Sequence, residues 1–405
     1  MSSAEAEAKA KENEAPTAEL IVRIAARGDG VTPSGAHVPF GVPGDALLDD
    51  GALAPGPHHQ EPPCRHFPEC GGCQLQHADD EAYRGYLASR VETALAQHGL
   101  TTEIRPPHLS PPCSRRRATL RALKVGKNAV VGFNAEKSHR IVNIHECHIL
   151  RPELFALVQP LRELLGGLLE PRRTAEVQLT LIDGGAVVLL KGVGADGLDE
   201  IERLTSFAIE RGLARLSIDN GLGAETIWEP QRATVTLSGR RVGLPVGGFL
   251  QATEDGETAL IDAVRAATGA STKVADLFAG LGTFALAIGA RYAAEASRDA
   301  SAALKQAAAA MIVEHRDLYR RPLNKEELRG FDAVILDPPR AGAEEQAMAL
   351  ASSPVSRIAY VSCNPATFAR DAKTLVDGGY SLDWIRPVGQ FRWSTHVELA
   401  ACFHR

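Results

Sequence analysis

The chain contains 405 residues, of which 44% are hydrophobic and 23% are charged, and its formal net charge is −6. This length predicts two or three domains, and the acidic balance excludes a uniformly basic nucleic-acid coat protein while allowing a local basic cleft. Apolar runs stay far below the ~18 residues that a membrane span needs, so we expect a cytoplasmic protein with no membrane partner. Residues 1–17 lack the pattern of a secretory signal and are predicted to be a disordered tail.

Residues 18–60 are predicted to form a small β-barrel-like element. Strand-like segments at 19–26 and 36–40 alternate with turns that contain Gly and Pro, which is typical of compact barrels. The pattern fades after Ala46, so we expect a truncated barrel followed by a loop.

Residues 61–245 are predicted to form a central α+β domain. Apolar periodicity places a helix at 80–99, strands at 118–125 and 129–134, a helix at 152–169, strands at 175–182 and 186–192, and a helix at 198–211.

Residues 246–405 are predicted to form a doubly wound α/β domain of the Rossmann-like type. Predicted helices at 255–268, 283–289, 299–310, 344–351 and 366–377 alternate with strands at 273–278, 292–295, 311–314, 333–336 and 357–361. Such alternation favours a largely parallel sheet with helices on both faces.

A cofactor loop is predicted at residues 276–283, between the first of these strands and the following helix. Gly280 and Gly282 allow a sharp turn and a close approach of the backbone to a ligand. Glu295 lies 19 positions after Asp276, a spacing at which a carboxylate binds ribose hydroxyls, and Asp317 is placed to reach an adenine edge. The loop has no Lys or Arg for a polyphosphate, so it suits S-adenosylmethionine and favours methyl transfer. The predicted contacts from the loop itself are Asp276, Phe278, Gly280, Gly282 and Thr283.

Two motifs are predicted to carry the chemistry at the same edge of the sheet. Asp337 begins an Asp-Pro-Pro-Arg motif after one strand, and Cys363 lies in a Ser-Cys-Asn-Pro motif after the next. A thiolate that adds to carbon 6 of a pyrimidine makes carbon 5 nucleophilic toward a methyl donor. A base must then remove the proton from carbon 5, and we expect Glu398 in this role, with His396 as the alternative. A buried structural cysteine and a solvated carboxylate are the competing interpretations.

A second group of cysteines lies far from these motifs. Their thiols can converge because Gly71 and Gly72 allow the loop to fold back, and four soft ligands suit either zinc or a four-iron cluster. We expect disulfides to be absent from a cytosolic chain, and we interpret Cys113 and Cys402 as structural. His66, His77, His145 and His148 are interpreted as surface or packing residues. The four candidate ligands are Cys64, Cys70, Cys73 and Cys147.

The densest basic run, at residues 114–117, is the candidate RNA-binding segment. Alternation along a strand would present Arg115 and Arg117 on one face, which suits phosphate contacts, whereas a solvated turn is the competing interpretation. A target base must leave its stack, and Phe391 or Trp393 is placed to stack on it or to join the core.

Together these motifs resemble the class I RNA (uracil-5-)-methyltransferases over residues 18–405, most closely at 63–77, 276–283, 337–342, 362–365 and 396–398. The resemblance implies that Cys363 is the nucleophile and Glu398 the base. It also implies that Gln251, Asp276, Glu295 and Asp337 contact S-adenosylmethionine, and that Cys64, Cys70, Cys73 and Cys147 hold a [4Fe-4S] cluster. The implied substrate is RNA, most often large-subunit 23S ribosomal RNA, and we expect a monomer. The N-terminal element resembles the TRAM domain of this family.

Two departures from the family pattern leave alternatives open. The barrel is short, and the predicted helix at 299–310 runs into the strand at 311–314 with almost no loop, which would displace Asp317 or weaken the cofactor pocket. The alternatives are a transfer RNA uracil-5 methylase, a methylase of DNA cytosine or protein glutamine, and an RNA-binding iron–sulfur protein with impaired methylase activity.

Overall fold

The computed structural model describes residues 18–405, so the predicted tail lies outside the described residues. The N-terminal element has two small antiparallel sheets, with strand orders β1-β5-β6 and β2-β3-β4. The strands are β1 (Glu19–Leu20), β2 (Arg23–Ile24), β3 (Gly30–Val31), β4 (His37–Val38), β5 (Ala46–Leu47) and β6 (Leu53–Ala54).

The predicted end of this element after Ala46 is wrong. Ala46 begins β5 and pairs with both Leu20 and Ala54, so the strands continue. The buried carboxylate of Asp45 closes the structure, because it accepts hydrogen bonds from the backbone N–H groups of Val42 (2.9 Å) and Gly56 (2.7 Å). This closure depends on one buried acidic side chain, which the spacing of apolar residues does not reveal.

The central domain is built on a six-stranded sheet with the order β10-β9-β11-β12-β13-β14. Alternate residues of β9 are buried, and the helices pack on that face. A separate hairpin is formed by β15 and β16. The elements are β9 (Arg117–Val125), β10 (Asn128–Gly132), α2 (Pro152–Phe155), α3 (Val158–Leu168), β11 (Thr174–Ile182), β12 (Gly185–Lys191), α4 (Leu198–Glu210), β13 (Arg215–Asp219), β14 (Ala224–Trp228), β15 (Thr234–Leu237) and β16 (Arg240–Gly243), with α1 (Asp80–Ala96), β7 (Glu103–Ile104) and β8 (His108–Leu109) before them.

The C-terminal part contains a nine-stranded sheet with the order β19-β18-β17-β20-β21-β23-β22-β7, and β8 also pairs with β22. Strands β17 to β21 are parallel to one another, whereas β23 is antiparallel to both β21 and β22. Strands β17 and β20 are buried at every position, as expected for a sheet covered on both faces. The elements are α5 (Glu254–Thr268), β17 (Val274–Leu277), α6 (Thr283–Ile288), β18 (Tyr292–Glu295), α7 (Arg298–Ala307), β19 (Ile312–His315), α8 (Lys325–Leu328), β20 (Ala333–Leu336), α9 (Glu344–Ala351), β21 (Arg357–Ser362), α10 (Pro365–Asp377), β22 (Ser381–Gly389) and β23 (Glu398–His404).

The predicted loss of the loop before β19 is also wrong. Helix α7 ends at Ala307, and residues 308–311 form a turn in which Met311 N–H donates to the Ala308 carbonyl (2.9 Å). Four consecutive alanines hide this end from a sequence pattern, because alanine favours helix throughout. The crossover has an ordinary length, and Asp317 follows β19 directly.

Residues 80–109, which the sequence predicted to be central, join the C-terminal sheet instead. Strand β7 pairs with β22 through Glu103 and Trp384, and helix α1 contributes to the core beside β21 and β23. The hydroxyl of Tyr83 in α1 donates to the Phe391 carbonyl (3.0 Å), 308 positions further along the chain. The predicted domain boundary at residue 246 therefore does not separate two packing units.

Candidate active site

The candidate site lies where the strand order of the nine-stranded sheet reverses. Strand β17 has β18 on one side and β20 on the other, so the loops that follow them diverge and leave a crevice. Leu277 pairs with Leu336, which places the loop at 278–283 beside Asp337 at the carboxyl edge.

Three residues of the cofactor loop have positive φ: Phe278 (64°), Gly280 (55°) and Gly282 (89°). A Cβ on Gly280 would meet no atom within 4 Å, so this glycine faces open space where a ligand can approach the backbone. A Cβ on Gly282 would lie 2.4 Å from Cδ1 of buried Leu304, so this glycine permits the packing of α7. Thr283 begins α6 directly after it.

Three carboxylates surround this loop. Asp276 is fully buried; its Oδ2 accepts from Ala285 N–H (2.8 Å) and its Oδ1 has no partner, and burial raises its pKa to about 8. Glu295 accepts from the backbone N–H of Gly280 (2.8 Å). Burial, with Glu398 and Asp276 nearby, raises the pKa of Asp337 well above its usual range. These features suit the ammonium and ribose groups of S-adenosylmethionine: the unpaired Oδ1 of Asp276, the open space beside Gly280 and the acidic surroundings of the loop.

An aromatic pair closes the far side of the loop. The rings of Phe278 and Tyr319 lie 5.5 Å apart, and the Tyr319 hydroxyl donates to the Gly342 carbonyl (3.1 Å). Asp317 is engaged locally, because its Oδ1 accepts from the backbone N–H of Tyr319 (3.0 Å). Sequence reasoning missed Tyr319, since nothing in the sequence signals the left-handed conformation of Phe278 that brings the rings together.

Cys363 and Glu398 are brought together by antiparallel pairing. Ser362, the last residue of β21, pairs with Leu399, so Cys363, which follows β21, lies across from Glu398, the first residue of β23. Cys363 is half-buried, and burial together with the charges of Glu398 and Asp337 raises the pKa of its thiol. The guanidinium of Arg340 opposes this shift and stabilises the thiolate.

Glu398 is a buried carboxylate with a limited set of partners. Burial raises its pKa to about 7, and Gln390, Arg117 and Arg340 oppose that rise. The side-chain amide of Gln390 donates to Oε2. A carboxylate poised near neutral pH is suited to act as a general base. Sequence reasoning missed Gln390, because a single glutamine after a strand carries no motif.

The predicted RNA-binding arginines point into this site. The guanidinium of Arg115 lies 5.0 Å from the ring centre of Phe391, and that of Arg117 lies 4.3 Å from the ring of Phe249. Both arginines are partly buried, and Arg117 also influences the charge of Glu398. They line the cleft instead of forming an exposed phosphate-binding face.

The two candidate stacking residues have separate places. Phe391 is partly exposed at the cleft, with its ring 5.6 Å from that of His396, whose Nδ1 lies 3.2 Å from Nη2 of Arg340. Trp393 is buried in a core cluster with Cys73, so only Phe391 is available to a base.

The four predicted metal-ligating cysteines line one cavity, which His66 and His148 also border. Burial raises the pKa of Cys70 to about 11 and that of Cys73 to about 12, and the neighbouring cysteines add to both shifts. His77 does not line this cavity, and its ring lies 5.6 Å from that of Phe67, which does. The cysteines of this cavity are Cys64, Cys70, Cys73 and Cys147.

The cysteine loop is hydrogen-bonded to the segment that precedes Glu398. The backbone N–H groups of Gln74 and Leu75 both donate to the Trp393 carbonyl, at 2.8 and 2.9 Å. The cavity and the cleft are therefore joined through one short stretch of backbone.

The chain is similar to known RNA methyltransferases. A family profile described as tRNA (Uracil-5-)-methyltransferase matches residues 304–405. An RNA methyltransferase of Zymomonas mobilis is 53% identical, over 95% of this chain and 98% of that one. The 23S rRNA (uracil(1939)-C(5))-methyltransferase RlmD of Chromohalobacter salexigens is 34% identical, over 85% of this chain and 76% of that one.

A solved structure has a similar fold. The Pyrococcus abyssi tRNA (uracil-54, C5)-methyltransferase, in complex with S-adenosyl-L-homocysteine, matches with a TM-score of 0.74 and 22% identity, over 95% of this chain and 99% of that one. Among residues 18–405, no helix is long and apolar enough to cross a membrane.

The fold and the named relatives together define a methyltransferase built on a doubly wound α/β domain. The chain belongs to the RNA (uracil-5-)-methyltransferase family, as its identity to full-length relatives shows.

Proposed function

We propose that this protein methylates carbon 5 of a uridine in 23S ribosomal RNA, through a covalent bond between Cys363 and carbon 6 of the base. The observation that carries the proposal is the cross-strand adjacency of Cys363 and Glu398 beside the cofactor loop. A nucleophile and a base that share one cleft with a methyl-donor pocket match the needs of this reaction.

The proposed steps use residues of the chain in a fixed order. When bound, S-adenosylmethionine supplies an electrophilic methyl group. The Cys363 thiolate adds to carbon 6, and the displaced electron pair of the 5,6 double bond makes carbon 5 nucleophilic. Carbon 5 bonds to the methyl group while the bond from that group to sulfur breaks, and the sulfur keeps the electron pair. Glu398 then takes the proton from carbon 5. The electrons of that C–H bond restore the double bond, the C–S bond breaks, and the thiolate is regenerated.

The proposed base pocket is the aromatic and cationic part of the cleft. A uridine in folded RNA must be splayed out of its stack to meet Cys363. Phe391 offers a face for stacking, and the Arg115 guanidinium on that ring strengthens the platform. Phe249, with 54% of its surface exposed beneath Arg117, offers a second face.

The proposed cofactor pocket combines the residues predicted from the sequence. We propose that Asp276, Glu295 and Asp337 form hydrogen bonds with the methionine and ribose parts of S-adenosylmethionine. A contact between Asp317 and the edge of the adenine ring remains a prediction. The remaining proposed contacts are Gln251, Phe278, Gly280, Gly282 and Thr283.

We propose a [4Fe-4S] cluster in the cysteine cavity. A single tetrahedral zinc would hold its sulfurs about 3.8 Å apart. Among residues 18–405, the only group of three or more candidate ligands within 4.8 Å of one another is Cys64, His66 and Glu146, so no three of the four thiols lie that close together. Wider spacing fits a cluster better than one ion. Reduced thiolate ligands also support a cytoplasmic location for the protein.

The choice of ribosomal RNA rests on the relative RlmD, which is named as a 23S rRNA methyltransferase. A transfer RNA substrate is the second candidate, because the matching family profile is described as tRNA (Uracil-5-)-methyltransferase. The site does not distinguish the two, since both present the same base to Cys363.

To test this proposal, anaerobically purified protein is incubated with labelled S-adenosylmethionine and with an unmodified 23S rRNA transcript, an unmodified tRNA transcript or DNA. The modified nucleosides are then analysed. We expect 5-methyluridine in the 23S transcript. Label in tRNA alone selects the second candidate, and the absence of 5-methyluridine from both RNAs overturns the proposal. Iron and sulfide in about equal amounts support the cluster, whereas zinc without sulfide contradicts it.

A further inference from the structure

Gln390 is a buried amide that connects the proposed base to the cofactor side of the cleft. It follows β22 directly and only 1% of its surface is exposed. Its Nε2 donates to Oε1 of Gln251 (2.8 Å) and to Oε2 of Glu398. One side chain thus contacts residues assigned to two different functions.

The orientation of this amide is fixed by the backbone. Oε1 of Gln390 accepts from the N–H of Ala252 (2.8 Å), so its nitrogen must face Gln251 and Glu398. A flipped amide would set its N–H groups against another N–H. Helix α5 comes close enough because of Gly256, where a Cβ would lie 2.7 Å from the Gln390 Cβ.

This fixed amide determines how Glu398 is presented. Because Oε2 of Glu398 accepts a hydrogen bond from Gln390, Oε1 is the carboxylate oxygen left to face the uracil. A donor to the carboxylate also favours its ionised form, which is the form that takes a proton. Both effects act on the final step of the reaction, and neither is needed for thiolate attack.

We propose that Gln390 is a positioning residue that holds the Glu398 carboxylate for removal of the carbon 5 proton. This role rests on the proposed covalent mechanism. Gln390 acts through Glu398 and does not contact the RNA base. Its hydrogen bond to Gln251 also links the position of the Glu398 carboxylate to the wall of the cofactor pocket.

The test uses Gln390→Met, which keeps the length and volume of the side chain but removes every hydrogen bond. Gln346→Met is a matched control, because Gln346 is equally buried and its amide bonds to the backbone of Leu323 (2.8 and 3.1 Å) away from the cleft. Both variants lose buried hydrogen bonds, so both are expected to have a lower melting temperature.

Two RNA substrates separate the steps at saturating cofactor. In 5-fluorouridine RNA, carbon 5 carries no removable proton, so the denaturation-resistant adduct reports attack and methyl transfer alone. We expect Gln390→Met to form this adduct at the wild-type rate within about twofold. With ordinary RNA, we expect it to release methylated product ~10-fold more slowly and to accumulate adduct, with the acidic limb of the release rate shifted upward by ~1 pH unit. Gln346→Met is expected to behave as wild type in each of these measurements.

Release at the wild-type rate with an unmoved acidic limb would show that Gln390 only packs, and would overturn the assignment. Equal slowing with both RNAs would overturn it as well, since that result means general damage to the cleft. Failure of the wild-type protein to form any adduct with fluorinated RNA is a different result. It overturns the covalent mechanism itself, and this role of Gln390 with it.

Discussion

Cys363 and Glu398 are cross-strand neighbours, each one step beyond the paired residues Ser362 and Leu399. The antiparallel insertion of β23 beside β21 creates this relationship, because a parallel strand would carry its first residue to the opposite edge of the sheet. The pair therefore depends on topology as much as on the two motifs.

Replacement of the proposed nucleophile is expected to abolish methyl transfer but not cofactor binding. In Cys363→Ala, methylation of RNA should fall below detection and no adduct should form, because carbon 5 is no longer activated. Calorimetric titration should give an S-adenosylmethionine affinity within about twofold of wild type. Substantial residual turnover would remove Cys363 as the nucleophile, and Cys113→Ala, at an exposed thiol outside the site, provides the control.

Loss of the proposed base is expected to trap the reaction partway. Glu398→Gln keeps the side-chain shape but cannot take the carbon 5 proton, so a protein–RNA adduct should accumulate on a denaturing gel while turnover falls about 10²- to 10⁴-fold. In the wild type, the rate should fall as the pH drops through about 7, where the Glu398 carboxylate becomes protonated. Normal turnover by Glu398→Gln would contradict this role and would make His396 the candidate base.

The two glycines that flank α6 should respond differently to alanine. In Gly282→Ala, the new Cβ meets Leu304 and the residue keeps a φ of 89°, so we expect a loss of ~2–3 kcal/mol of stability and weaker cofactor binding. In Gly289→Ala, φ is 70° but the Cβ meets nothing within 4 Å, so only the backbone cost of ~1 kcal/mol applies. Urea unfolding measures both, and equal losses would contradict the packing argument.

Asp276 is expected to make the ligand-free protein less stable at higher pH. The folded protein keeps the Asp276 proton up to about pH 8, whereas the unfolded chain releases it near pH ~4, so stability is lost as the pH rises between these values. Asp276→Asn should remove this dependence. The melting temperature of the wild type should therefore fall relative to that of Asp276→Asn from pH 5 to pH 8. A constant difference would contradict the buried, protonated state.

The C-terminal sheet was predictable because its strands are short, apolar and regularly interrupted by helices. The motif that begins at Asp276 ends one such strand, and those at Asp337 and Cys363 follow two others, so their meeting at one edge could be inferred from the sequence. The position of β23 between β21 and β22, and the recruitment of α1 by the same core, are long-range choices that local periodicity does not encode. Gln390 escaped prediction for a similar reason, since its partners come from two distant segments.

The hydrogen bond from Tyr83 to the Phe391 carbonyl has a kinetic consequence. It joins segments 308 positions apart, and closing so long a loop is entropically costly and slow. The backbone around Phe391 cannot settle until helix α1 has docked against it. We therefore expect the cleft around Phe391 to be among the last parts of the protein to form during folding, well after the central sheet, whose β9 and β10 are joined by a tight turn.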